Sequence, residues 1–191
     1  MLPSDAIVTP ARAALLIIDV QERLAAAMPP DAMERLVRSV NILAETARRL
    51  ALPVVLSEQY PKGLGPTIQP IEQALAPLGD QVRRVEKVEF SVCGNADFQS
   101  LWPTLGRDQW LVAGMEAHVC VWQSVRDLRG RGARVHVLAD AVVSRGDENR
   151  RLGLGLAERV GALASSTEVV VFDLLGKAGS DDFKALSKLI R

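Results

Sequence analysis

Six short apolar runs, each followed by a polar or helically spaced stretch, constrain this chain more than any other feature. In order they are "AALLIID" (13–19), "PVVLSE" (53–58), "QVRRVEK" (81–87), "QWLVAG" (109–114), "RVHVLADAV" (134–142) and "ALAS" (162–165). The first shows no alternation, the pattern of a strand buried on both faces. After it, Met33, Leu36, Val37, Val40, Leu43, Ala44 and Ala47 recur at helical spacing, with Asp31 after "PP" as the expected cap. Helices are expected likewise over "ADFQSLWPTLG", interrupted or ended near Pro103, and over "HVCVWQSVRDLRGRG", closed by glycine. "DENRRLGLGLAERVG" and "SDDFKALSKLI" supply two more. "STEVVVFDLLG" opens on a capping signal and reads as helix, with a strand as the alternative that its β-branched run allows. The Gly- and Pro-rich "QYPKGLGPTIQP" (59–70) reads as loop. Such alternation predicts an α/β fold: a three-layer, doubly wound, Rossmann-like and mostly parallel six-stranded sheet with helices on both faces. With 191 residues and no repeat or linker, the chain 1–191 fits a single domain.

Charge narrows the partners. The 23 basic and 23 acidic residues cancel, so no net field draws the chain to nucleic acid or an anionic membrane. No apolar run approaches the ~18 residues of a membrane span. The N-terminal stretch lacks a basic start and is interrupted by Asp19, unlike a signal peptide. Two cysteines without a spaced framework point to free thiols in a reducing compartment, so a cytoplasmic location is expected.

Open parallel sheets place their sites at the carboxyl ends of the strands. Three polar residues fall there: Asp19 ends the first run, Lys87 the third, and Cys120 follows the fourth. Taken singly, Asp19 reads equally well as a helix cap, Lys87 as a solvated charge and Cys120 as a small core residue. Taken together at one rim, an acid, an amine and a thiol form a nucleophile with its activators.

These residues also carry a resemblance. "LLIIDVQ", "KVEFSV" and "GMEAHVCV" resemble the signature segments of the isochorismatase-like cysteine hydrolases, a family that includes nicotinamidases and N-carbamoylsarcosine amidases. "SEQYPKGLGPT" (57–67) further resembles the branch of isochorismatase domain-containing proteins. The resemblance implies Asp19 as general base, Cys120 as nucleophile and Lys87 as the cation that orients and balances them. It also implies an oxyanion hole from the backbone N–H groups of Glu116 and Cys120, with a cis peptide between Met115 and Glu116. Lys87 and a helix N-terminus are expected to favour the thiolate.

Departures from the family pattern sharpen the expectation. Many relatives carry threonine where this chain has Ala117. Nicotinamidases carry an Asp-x-His metal cluster after the second strand, where this chain has no histidine. Its two histidines, His118 and His136, fall at a helix start and in a strand, so no metal site and no cofactor are expected. Isochorismatases proper cleave a vinyl ether without cysteine, so Cys120 favours acyl chemistry. Gln21, Tyr60, Phe90 and Trp122 are candidate substrate contacts, with Gln59 beside them. Cys93 either lines the site or is an ordinary buried thiol. The glycines at 153 and 155 lie inside a helical pattern and do not form a phosphate loop. A redox thiol protein is disfavoured because no C-x-x-C spacing exists. The reading is a metal-independent cysteine hydrolase of a small amide, ureide or related acyl compound, assembled as a homo-oligomer. The alternative is a catalytically silent binding or assembly module.

Overall fold

A computed structural model describes residues 6–190. Its centre is one six-stranded sheet in the order β3-β2-β1-β4-β5-β6, with every neighbouring pair parallel. The strands are β1 (Ala13–Ile18), β2 (Val54–Gln59), β3 (Val82–Lys87), β4 (Gln109–Met115), β5 (Arg134–Val143) and β6 (Leu163–Ser165). The helices are α1 (Pro30–Leu50), α2 (Gln69–Leu75), α3 (Ala96–Leu105), α4 (Trp122–Gly130), α5 (Asp147–Arg159), α6 (Thr167–Leu175) and α7 (Asp181–Ile190). All six residues of β1 and all seven of β4 are buried, because parallel central strands are covered on both faces. Leu15, Ile17, Leu56 and Leu111 meet α1, α2 and α6 on one face. Leu16, Ile18, Val55 and Val112 meet α3, α4 and α5 on the other. Helix α7 packs outside this frame, where Leu186 joins Ile42 of α1 and Val171 of α6.

The structure departs from the sequence reading in four local details. Asp31 is not the cap of α1; Pro29 precedes the helix, Pro30 opens it, and Asp31 pairs with Arg35 one turn on at 2.7 Å. Helix α3 runs through Pro103 to Leu105 before Gly106 turns left-handed, so proline's missing N–H falls in the final turn. The 59–70 segment contains a helical turn, Pro61–Leu64, before α2 begins at Gln69. The segment between 71 and 80, given no element from the sequence, completes α2 and enters a 3-10 turn. "STEVVVFDLL" is helical as expected: the Ser166 hydroxyl accepts the Val169 N–H at 3.3 Å.

Strand order reverses between β1 and β4, and the chain leaves these neighbours toward opposite faces. Gly114 permits their close approach: a β-carbon there would lie 2.1 Å from the Ile18 carbonyl oxygen, at φ +122°. A second close approach lies on the other face of the turn after β4. A β-carbon on Gly153 of α5 would lie 2.4 Å from the Ala117 carbonyl oxygen. Strand β5 bulges between Val137 and Val142, and Arg150 of α5 holds this bulge through the Val142 carbonyl at 3.0 Å and the Ala139 carbonyl. The bulge delivers Ser144 to the rim.

Candidate active site

Asp19 follows β1 with φ 54°, in the left-handed region that aspartate tolerates better than most side chains. Its N–H is held by the Ser57 carbonyl at 3.0 Å, and its side chain is closed to solvent. Two donors meet the carboxylate. Lys87 Nζ donates to Oδ2 at 2.6 Å, and the Ser57 hydroxyl donates to Oδ1 at 2.7 Å. Lys87 also donates to Gln59 Oε1 at 2.7 Å and to the Phe90 carbonyl at 3.3 Å. The ammonium is thus fully coordinated although its side chain is buried, which offsets the cost of removing it from water.

Cys120 arrives from the other side of the switch point. After β4 the chain passes through the cis Met115–Glu116 peptide into a turn of π-helix, Ala117–Val121, that continues as α4. The cysteine is 6% exposed, and its thiol lies within the electrostatic reach of Asp19 and Lys87. Burial pushes the thiol up to about 12; the Asp19 charge adds to this, Lys87 opposes it, and Glu116 contributes in the same sense as Asp19. The Cys120 thiol is therefore held in its neutral form, where the sequence led to the expectation of a thiolate. The main reason is burial, and the Asp19 charge adds to it while Lys87 opposes both.

Glu116 opens the turn, 7% exposed, with Oε1 3.0 Å from Arg145 Nε. Ser144 accepts the Ala117 N–H at 3.1 Å and lies 3.1 Å from His118 Nδ1, which ties the turn to the end of β5. The sequence reading missed Ser57 and Ser144. Both are small hydroxyl residues at the ends of apolar runs, and that placement is the one signal that marks them.

The candidate substrate contacts divide. Gln21 accepts the Gln59 N–H at 2.8 Å and donates to the carbonyls of Gln59 at 3.0 Å and Gly65 at 2.7 Å. Its amide clips the 60–68 segment to β2 through these bonds. Tyr60 and Phe90 are 55% and 53% exposed, and Trp122 is half-buried at the start of α4. A cleft of about 320 Å³ beside Lys87 is bordered by Tyr60, Val88 and Glu89; Phe90 and Trp122 do not border it. Cys93 is an ordinary buried thiol, 2% exposed and pushed up to about 11 by burial. Among the described residues no His, Cys, Asp and Glu side chains gather as a metal-binding group.

The isochorismatase domain model matches residues 13–169, a span that contains both halves of this site. The chain belongs to the isochorismatase-like hydrolase family. Isochorismatase domain-containing protein 2 of Homo sapiens is 32% identical over 193 residues, covering 99% of this chain and 88% of that protein. The structure of MAR1 ribonuclease from Caenorhabditis elegans superposes with a TM-score of 0.88 at 32% identity, over 97% of this chain and 92% of that one. YcaC from Escherichia coli, an octameric hydrolase of unknown specificity, shares the fold with a TM-score of 0.85 at 21% identity, over 97% of this chain and 89% of that one. Within the isochorismatase-like fold, the described helices include none long and apolar enough to cross a membrane.

Proposed function

We propose that this isochorismatase-like protein is a cysteine hydrolase that cleaves a small neutral amide, ureide or related acyl compound. The observation that carries the reading is the meeting of Asp19, Lys87 and Cys120 at the β1/β4 switch point. Asp19 takes the Cys120 proton as sulfur attacks the carbonyl carbon, since a neutral thiol needs a base within hydrogen-bond reach. The carbonyl electron pair moves to oxygen, and the N–H groups of Glu116 and Cys120 receive the oxyanion. Its collapse breaks the C–N bond, and the departing nitrogen takes the proton back from Asp19. Water, losing a proton to Asp19, then attacks the thioester; the acid leaves and the Cys120 thiol reforms. Lys87 balances Asp19 whenever it is ionised, and Ser57 fixes the carboxylate plane.

Charge supports a neutral substrate. The two cations nearest Asp19 and Glu116 are already bonded to those carboxylates, Lys87 to Asp19 and Arg145 to Glu116, which leaves Lys62 at the cleft edge as an exposed charge. A phosphodiester would need cations to neutralise it, and the chain's formal net charge is +0. The site thus gives no support to carrying over the ribonuclease activity that names the C. elegans relative. We also place the protein in the cytoplasm as a homo-oligomer. Two buried free thiols support the first, and exposed Val169, Phe172 and Leu189 support the second. A monomeric mass by light scattering at micromolar concentration would remove the assembly.

The test is a panel of neutral amides, ureides and esters, with RNA alongside, read by turnover and by intact mass. An acyl adduct on Cys120 is expected, lost in Cys120→Ser, with turnover equally damaged in Asp19→Asn. The two defects should not add in the double variant, because the residues act as one unit. No adduct and no Cys120-dependent turnover would favour the silent binding module, and RNA cleavage independent of Cys120 would replace the acyl reading.

A further inference from the structure

The pairing of β4 with β5 ends at Met115 opposite Val143. Beyond that pair the two segments stay joined, now through side chains. Ser144 is 3% exposed, and its hydroxyl accepts the Ala117 N–H at 3.1 Å. Arg145 then holds the Glu116 carboxylate. Its backbone N–H donates to Oε2 at 3.3 Å, and its Nε lies 3.2 Å from Oε2 and 3.0 Å from Oε1. Residues 144 and 145 thus grip residues 117 and 116 at the mouth of the Cys120 turn.

The Glu116 carbonyl and the Ala117 N–H belong to one planar peptide unit. At its oxygen end, that unit accepts the Val119 N–H at 3.0 Å and the Val121 N–H at 3.2 Å. At its nitrogen end it is held by Ser144. A plane tied at both ends resists rotation, which fixes Glu116 at ψ 141°. The Ser144 hydroxyl is itself steadied by His118 Nδ1 at 3.1 Å, since one hydroxyl can accept and donate at once. These bonds bear on the chemistry because the Glu116 N–H is one of the two donors assigned to the oxyanion. Such a donor works only when aimed in advance, and hydrogen bonds weaken steeply as their angle closes. We infer that Ser144 is a positioning residue for the oxyanion hole, pinning the 116–117 peptide so that the Glu116 N–H stays aimed at the developing charge. The inference rests on the hydrolase reading, and it acts through the backbone without Ser144 touching the reacting atoms.

The test compares two reactions at one sulfur. p-Nitrophenyl acetate acylates Cys120 through an oxyanion: the S–C bond forms, the thiol proton passes to Asp19 and p-nitrophenolate leaves. Methyl iodide methylates the same thiol by displacing iodide, and no oxyanion arises. Both rates are followed at Cys120 by peptide mass, with Cys120→Ser as the blank. In Ser144→Ala, acylation is expected to slow about tenfold, less than the roughly 100-fold or more of losing a donor outright, while methylation is unchanged. Ser144→Thr keeps the hydroxyl and should recover most of the acylation. Unchanged acylation in Ser144→Ala overturns the role and leaves the hydrolase reading standing. Equal slowing of both reactions also overturns it, because a displaced sulfur and not a misaimed donor would be the cause. Wild-type Cys120 that is methylated but never acylated removes the hydrolase reading, and this inference with it.

Discussion

Asp19 Oδ2 and Lys87 Nζ lie 2.6 Å apart with neither side chain reaching solvent. A buried pair of this kind is costly to break from one side, because the remaining charge is stranded. Lys87→Met is expected to destabilise the fold by about 3–5 kcal/mol, measured by urea denaturation at neutral pH. The Asp19→Leu, Lys87→Met double variant should be more stable than the sum of the single losses implies, since it strands no charge. Additive losses would mean the pair is not coupled.

The thiol should titrate late. Its pKa is raised to about 12 by burial first and Asp19 second, so it stays protonated through neutral pH. Alkylation of Cys120 by iodoacetamide should be slower at pH 7 than that of a free peptide thiol, and should still be rising at pH 10. In the unfolded chain the thiol ionises from about pH 8.5. A raised folded pKa therefore leaves stability intact below that value and lets it fall as pH climbs toward the folded pKa. A labelling rate that levels off below pH 8 would show a resting thiolate instead.

Two glycines on α5 should respond with opposite signs. At Gly155 nothing lies within 4 Å of an added β-carbon, so Gly155→Ala should stabilise by about 0.5–1 kcal/mol through helix propensity. Gly153→Ala drives a methyl into the Ala117 carbonyl at 2.4 Å and should destabilise by about 1–3 kcal/mol, while displacing the Cys120 turn. Thermal melts of the two variants side by side decide the matter. Equal shifts would mean that α5 does not press on the turn.

Gln21 offers a test of positioning against contact. Gln21→Leu removes three hydrogen bonds to Gln59 and Gly65. Limited proteolysis should then cut within residues 60–66 faster than in the wild type, with overall stability lowered by about 1–3 kcal/mol. Unchanged cleavage there would mean that Gln21 does not hold the segment and would favour its expected role as a substrate contact.

Much of this was legible along the chain. The unbroken apolar runs of β1 and β4 identify doubly covered parallel strands, and the helical stripe from Met33 to Ala47 identifies α1. The placement of Asp19, Lys87 and Cys120 at or just beyond the ends of the first, third and fourth runs brings all three to one rim, because parallel strands share a direction. The backbone partners of Gln21 were not legible, for a physical reason. A buried amide satisfied by backbone and one left open for a ligand are the same letter in the sequence.

What the sequence determined by itself is whatever depends on local periodicity and chemical type: the α/β class, the strand ends, and the identity of the acid, amine and thiol. What only the tertiary structure decided is how those groups act on one another. Lys87 bonds to Asp19, Ser57 and Gln59 complete the shell, and burial outweighs the Lys87 charge in holding Cys120 as a neutral thiol. Those outcomes turn on ångström-scale distances and on exclusion of water. Both are set by close approaches such as Gly114 to Ile18 and Gly153 to Ala117, between residues far apart in the chain. Electrostatic energy depends on separation and surroundings, and neither is written in the order of residues.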